Sequence, residues 1–304
     1  MSEHTRVDEF LTSLLAICKP LESFEMPLLD AHGATLAADI YAGDRLVLRE
    51  GVRIRSTQIG LAASIGRDHL PTRPHPRVVV LSAGPDLVEP GQPLKNASDE
   101  YETNSWLLTT AVREVGAVAY RVHSIPDNEE QLQKVIEDQL VRADLIIISG
   151  ERHDDSFDLI TRTLSQLGEI TTADVAIEMS GRHNFGVIGP DNTPVVTLPG
   201  DPIASYISFE LFVRPMIRTM LGAATIHRPS VKAKLVRAVE SSKDFRSYIR
   251  ATLSESGDSV TPLANQEEIS TLSDATAFIA VSEKDLSLKA GTEVTVVVLE
   301  RRYI

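Results

Sequence analysis

Apolar residues recur at helical spacing early in the chain. Phe10, Leu14 and Ile17 fall on one face of a helix predicted to start near Val7. A proline-bounded connection leads to a second helical run over 31–38, then to a short helix over 57–65 that Gly66 stops. Segment 67–76 carries Pro71, Pro74 and Pro76, and reads as a loop and a domain boundary. From Arg77 the pattern changes. The stretches 78–81, 145–148 and 195–198 are short continuous apolar runs, as expected of strands covered on both faces. Between them lie helical patterns. Asn104 is expected to cap a helix carrying Leu107, Leu108, Ala111, Val112 and Val115, closed by Gly116. Asp127 with Glu130 makes a capping-box-like start for a helix with Leu132, Val135, Ile136 and Leu140. Further helices are expected over 157–167, stopped by Gly168, and as one long element over 203–221 with Gly222 beyond.

Strands alternating with helices imply an α/β unit, a mostly parallel sheet with helices on both faces, which binds ligands beyond the carboxyl ends of its strands. In the last segment Val231, Ala233 and Leu235 alternate with lysines, and Val294, Val296 and Val298 alternate with Thr295 and Val297. That period of two predicts a small antiparallel β-domain, a sandwich or a barrel. The expected division is 1–75, 76–224 and 225–304.

Charge narrows the function. The net charge is −13 over 304 residues, and such a surface repels a polyphosphate backbone, which argues against nucleic acid as a partner. The one cysteine, Cys18, sits in an apolar helical run and reads as a core thiol in a protein of a reducing compartment. The first nine residues are polar, without a basic-then-apolar leader, and the longest apolar runs fall far short of the ~20 residues of a membrane span. The expectation is a cytoplasmic protein with no membrane insertion. Tyr101 and Trp106 invite ligand stacking, but Trp106 opens an apolar helix face and is expected to pack in the core.

Several motifs resemble one family in the same order along the chain. The stretch 27–39 (PLLDAHGATLAAD) resembles the opening of molybdopterin molybdenumtransferases, the family that includes the E domain of gephyrin. The stretch 77–88 resembles that family's strand and TGDEL-like loop, and Glu102-Thr103-Asn104-Ser105 its D-S-N-S element. Residues 143–150 with Phe157-Asp158 resemble the frame of its SGGVSVGDYD loop. Leu198-Pro199-Gly200-Asp201-Pro202 resembles its LPGNP motif. The resemblance implies a molybdopterin-binding α/β domain between a partial N-terminal domain and a C-terminal β-domain, usually as a homodimer. It implies insertion of molybdate into adenylylated molybdopterin, with Mg²⁺ and release of AMP. Carried over, the cofactor-binding residues are Ser149, Gly150, Asn104, Arg182, Pro199 and Gly200; the catalytic residue is Asp158; the metal ligands are Asp158 and Asp155.

The departures from the family are specific. Nothing resembling its DGYA segment or inserted domain follows Ile40-Tyr41-Ala42-Gly43-Asp44, so one active-site carboxylate is missing. A glycine-rich turn into a helix binds anions through free backbone N–H groups. Here Glu151 and Asp155 stand where the family has glycines, His153 replaces a serine and Ser156 an aspartate. From Glu151 to Asp158 four acids face one arginine, a local charge of −3. Like charges ~4 Å apart repel by about 4 kcal/mol at an effective dielectric near 20. Ala83, Pro85 and Asp86 alter the TGDEL-like loop, and Met179-Ser180-Gly181-Arg182-His183 stands where a K-P-G-K-P-like stretch is expected. Asp201 replaces an asparagine, and Glu267-Glu268 lie near the family's Gly-Ser turn. Two functional readings follow. One is an active transferase using molybdopterin and Mg²⁺. The other, which the departures favour, is a divergent member without intact catalysis, possessing no required cofactor and acting as a scaffold for a protein partner. A metal site at His153, Asp154, Asp155 and Asp158 is a third reading, set against a solvated acidic loop.

Overall fold

The computed structural model describes residues 4–84, 86–122, 128–150, 154–179 and 181–300. Helix α1 (Val7–Ala16) precedes a small unit of β1 (Phe24–Pro27), β2 (Thr35–Leu36), β3 (Ile40–Ala42), β4 (Arg45–Leu48), α2 (Ser56–Ser64) and β5 (His69–Arg73). Its sheet has the order β1-β5-β2, and Leu36, Ile54, Ala62 and Leu70 form its core. Two expectations fail here. The run 31–38 is not a helix: Gly33 takes a φ of 90°, and Thr35 and Leu36 pair with Arg73 and Thr72. A left-handed residue ends any helical path, and sheet pairing overrides alanine's helix propensity. Segment 67–76 is not a loop: β5 is the central strand. Pro71 pairs in register with Glu25 and, lacking an N–H, contributes its carbonyl, which accepts from Ala37 N–H at 2.9 Å. Where the family resemblance places a longer segment, a two-residue turn at Gly43-Asp44 closes the β3–β4 hairpin, with Gly43 at a φ of 58°.

The central unit runs β6 (Arg77–Ser82), β7 (Leu87–Val88), β8 (Glu100–Tyr101), α3 (Asn104–Val115), β9 (Val118–Arg121), α4 (Glu129–Leu140), β10 (Leu145–Ser149), α5 (Asp154–Leu167), β11 (Gly168–Asp174), β12 (Arg182–Ile188), β13 (Thr193–Leu198), α6 (Pro202–Ser208) and α7 (Arg214–Met220). Its sheet has the order β11-β12-β13-β10-β6-β9. The strands β13, β10, β6 and β9 are mutually parallel, whereas β12 is antiparallel to both of its neighbours. Alternation along the strands sends side chains to two cores. Val78, Val80, Leu145 and Ile147 meet α1, α3, α6 and α7, while Val79, Leu81, Ile146 and Ile148 meet α4 and α5. Helix α1 thus belongs to the main helical layer, with Phe10 edge-on to Phe212 at 4.8 Å.

Helix ends differ in detail from the sequence reading. Asn104 is the first residue of α3 rather than its cap; the Glu102 carboxylate instead accepts from Ser105 N–H at 2.7 Å. Asn128 caps α4, accepting from Gln131 N–H, and Asp127 lies outside the described residues. The expected single helix over 203–221 contains a π turn, Phe209–Val213, between α6 and α7. Pro215 cannot donate to the carbonyl one α-turn back, and its ring crowds that carbonyl; a widened turn relieves the crowding.

The last unit is a closed barrel of β14 (Ser230–Leu235), β17 (Ser259–Pro262), β16 (Ser247–Leu253), β18 (Ala277–Val281) and β20 (Glu293–Val298), in that order around the wall. The pair β15 (Val239–Glu240) and β19 (Ser287–Leu288) and the short helix α8 (Ser270–Asp274) flank it. All barrel pairs are antiparallel except β14–β17. The connection 175–178 ties the N-terminal segment and the barrel to the central unit. Ala176 N–H donates to Thr5, Arg246 N–H donates to Ala176, and Glu178 N–H donates to Arg246. No described helix is long and apolar enough to cross a membrane.

Candidate active site

The parallel strands end level with one another: Ser149 is in register with Ser82 on one side and Leu198 on the other. This carboxyl edge gathers the expected residues around two structures. The first is a buried polar network. Ser82 Oγ donates to Glu102 Oε1 at 2.7 Å and lies 3.0 Å from Ser149 Oγ. Ser105 donates to Glu102 through both N–H, at 2.7 Å, and Oγ, at 2.5 Å. The Arg121 guanidinium donates to Ser105 Oγ at 2.6 Å, Glu89 at 2.5 Å and Glu102 at 3.2 Å. Glu102 is 1% exposed and the Arg121 side chain 7%. Arg121 also stacks on Trp106, its guanidinium carbon 4.2 Å from the ring centroid. Trp106 is 49% exposed, which corrects the core placement expected for it: its apolar neighbours on α3 face the sheet, while its own ring covers the arginine.

The second structure ties α3 to the loop after β13. Asn104 Nδ2 donates to the Gly200 carbonyl at 2.7 Å, and the buried Asn104 Oδ1 has no hydrogen-bond partner among the described residues. Asp201 Oδ1 caps α6, accepting from Ile203 N–H at 2.9 Å and Ala204 N–H at 3.0 Å, with Pro202 at the helix start. Ser149, Gly150, Asn104, Pro199 and Gly200 therefore share one edge. Asp158 and Arg182 meet farther along it, 3.8 Å apart, with Arg182 over the Phe157 ring at 4.5 Å. The side chain of Asp155 lies outside the described residues, as do Pro85, Glu151, Arg152, His153 and Ser180 and the side chains of Asp154 and Ser156. No group of three or more acids, histidines or cysteines that could hold a metal ion occurs among the described residues, and the side chain of the expected ligand Asp155 lies outside them.

One part of the site left no clear signal in the sequence. A cavity of ≈ 410 Å³ opens between the barrel and Glu178-Met179, beside the stretch that stands in place of the family's K-P-G-K-P-like one. Its wall contains Arg250, 2% exposed. Gln266 clasps the Arg250 backbone, accepting from its N–H at 3.0 Å and donating to its carbonyl at 2.9 Å. Burial holds this guanidinium below the usual arginine range, against the opposing pull of the Asp201 and Glu267 charges. Glu267 lines this cavity and also a neighbouring one that holds Asp201 and Pro202 of the α6 cap. The available clue was a cation flanked by Ile249 and Ala251 within an otherwise barrel-like strand.

This geometry, a mixed sheet with a polar carboxyl edge and a barrel beside it, agrees with comparisons to known proteins. Residues 79–219 match the profile of a probable molybdopterin binding domain, and residues 232–299 that of the MoeA C-terminal region, domain IV. Molybdopterin molybdenumtransferase 1 of Mycobacterium tuberculosis is 30% identical over 270 residues, covering 86% of this chain and 63% of the relative. Molybdopterin molybdenumtransferase 2 of the same organism is 32% identical over 265 residues, covering 85% and 65%.

The chain belongs to the MoeA family of molybdopterin molybdenumtransferases.

It spans under two thirds of the length of these curated MoeA relatives, 63% and 65%. A crystal structure titled as the molybdopterin biosynthesis MoeA protein from Pyrococcus horikoshii superposes with a TM-score of 0.84 at 21% identity, covering 98% of this chain and 100% of that one. The α/β unit with its C-terminal β-barrel is thus the MoeA-like fold that the resemblance implied.

Proposed function

We propose that this chain keeps the MoeA fold as a binding framework within molybdenum cofactor biosynthesis, with the transferase step weakened or lost and a scaffold role toward a protein partner. One observation carries the reading: the polar groups at the strand ends are engaged with each other. Ser82, Ser149, Ser105, Glu102 and Arg121 close a buried network, and Asp201 is held by the α6 amides. Side chains locked in this way hold a backbone frame and have little freedom to exchange protons with a substrate. Molybdopterin, as a ligand, still fits one feature. The buried Asn104 Oδ1, without a hydrogen-bond partner among the described residues, offers an acceptor suited to a ring N–H of a pterin. Binding of the ring and loss of the phosphate chemistry are compatible, because they use different parts of the edge.

The test is single-turnover release of AMP from adenylylated molybdopterin with molybdate and Mg²⁺. The expected rate is about a hundredfold or more below that of a full-length MoeA relative, a deficit of the size produced by losing one preorganised electrostatic group. A comparable rate sinks the proposal. Capture of partners from the native host tests the scaffold role, and recovery of only cofactor-pathway enzymes counts against it. Size-exclusion chromatography with light scattering tests the homodimer, which belongs to the same reading. An active transferase is the second reading. It is favoured by the 30% and 32% identity to relatives named as transferases, and it would make Asp158 and Asp155 metal ligands.

A further inference from the structure

The cavity beside Arg250 has features that the strand-end network does not explain. Its arginine is fixed rather than mobile. Arg250 Nε donates to Thr271 Oγ1 at 2.9 Å, and Gln266 holds the backbone at both N–H and carbonyl. Buried Nη2 has no hydrogen-bond partner among the described residues. A buried guanidinium with an unmet donor is costly unless an anionic acceptor reaches it, and Arg250 lines an open cavity through which one could. The planar donor array matches a carboxylate.

The rest of the lining decides what kind of anion fits. Arg237 and Arg250 face three acids, Glu178, Glu240 and Glu267, a net of −1. A dianionic oxyanion would take that to −3 and a simple monocarboxylate to −2. A ligand carrying its own ammonium group would leave it unchanged. The acids are placed to meet such a group. Glu178 is held at the wall by Ser242, whose Oγ donates to Glu178 Oε1 at 2.7 Å, and its backbone N–H is bonded to the barrel at Arg246. The lining thus offers a cationic donor for a carboxylate and acids for an ammonium group, with Arg250 and Glu178 both tied in place by hydrogen bonds.

We propose that this cavity binds a small amine-bearing carboxylate, its carboxylate on Arg250 and its ammonium group among Glu178, Glu240 and Glu267. The site goes beyond the scaffold reading and stands whether or not transferase chemistry is retained. It also disfavours a doubly charged tetrahedral oxyanion at Arg250, because the lining acids repel it.

Calorimetry and thermal shift on the full chain test the assignment with 4-aminobutanoate, 6-aminohexanoate, acetate, phosphate and molybdate as probes. At least one aminocarboxylate should bind about tenfold or more tightly than acetate, phosphate or molybdate. Arg250→Met should abolish that binding. Because removing a buried, clasped side chain could unfold the barrel, Glu178→Gln serves as the second variant. It should keep the melting temperature and lower the preference for the aminocarboxylate over acetate by about tenfold. Three results would overturn the proposal: phosphate or molybdate binding more tightly than both aminocarboxylates, no aminocarboxylate binding at millimolar concentration, or an unchanged preference in a folded Glu178→Gln protein.

Discussion

Replacing Glu102 by alanine removes one carboxylate from four donors at once: Ser82 Oγ, Ser105 N–H, Ser105 Oγ and Arg121. The Arg121 side chain, 7% exposed, would keep Glu89, which is itself 30% exposed, and Ser105. Breaking a buried ion pair by deleting one partner costs about 3–5 kcal/mol, because the other charge stays behind without compensation. At about 2–4 °C per kcal/mol for a chain of this size class, the melting temperature should fall by roughly 10 °C. Glu102→Gln keeps the shape but turns an amide donor toward other donors, and should cost about 1–3 kcal/mol. The double variant Glu102→Ala/Arg121→Met removes the orphaned charge and should recover part of the loss. Thermal and urea melts of the three proteins give the comparison. A loss under about 1 kcal/mol for Glu102→Ala would show that the strand-end network is not held by its buried charges, and the reasoning for a closed, non-catalytic edge would fail with it.

Three further outcomes are expected. His183 is fully buried with Nδ1 2.8 Å from the Thr197 carbonyl, and burial pushes its pKa down to about 4. The unfolded chain takes up this proton near pH 6.5 and the folded chain only near 4, so stability should fall as pH drops through that window, by up to about 3 kcal/mol; urea midpoints of His183→Gln against the parent chain between pH 7 and 4 should show a shallower acid dependence in the variant. Asp201→Ala deletes both α6 cap bonds and should cost about 1 kcal/mol, whereas Asp201→Asn should keep most of the cap, as read from denaturation midpoints. Cys18 is buried and its thiol is pushed up to about 12 by desolvation, so a disulfide-exchange reagent at pH 8 should modify it only in denaturant, and rapid labelling of the native chain would contradict its placement.

Legibility followed the range of the interaction. The strands at 78–81, 145–148 and 195–198 could be read because burial on both faces writes itself as consecutive apolar residues. Strand β11 could not: its side chains are mostly exposed, so the β-branched run Ile170-Thr171-Thr172 carries no apolar alternation, and the partner it finds in β12 decides it. That pairing is close enough that a Cβ at Gly186 would lie 1.9 Å from the Glu169 carbonyl oxygen, a requirement visible only once the two backbones are side by side. Strand β5 was hidden by Pro71, with Pro74 and Pro76 just beyond it, for the opposite reason: a local rule against proline was outweighed by sheet partners more than thirty residues away.

The same division runs through the site. The family motifs located the loops that carry Asn104, Ser149 and Gly200, because turn geometry is a local property. What those residues do depends on the pairs Ser82–Glu102, Ser82–Ser149 and Asn104–Gly200, which bridge 20, 67 and 96 residues. Arg250 illustrates the consequence. Read along the chain it interrupts an apolar strand; read in space it is a clasped, buried cation facing a cavity rimmed with acids. The loop departures at 151–158 suggested a poor seat for phosphate; residues 151–153 lie outside those described, and the engaged network at Ser82 and Ser149 is a separate observation on different atoms. On the proposed reading, a single reversion such as glycine at Glu151 should leave AMP release unchanged, because the Glu102 network would have to loosen as well; a gain in AMP release from that one change would refute it.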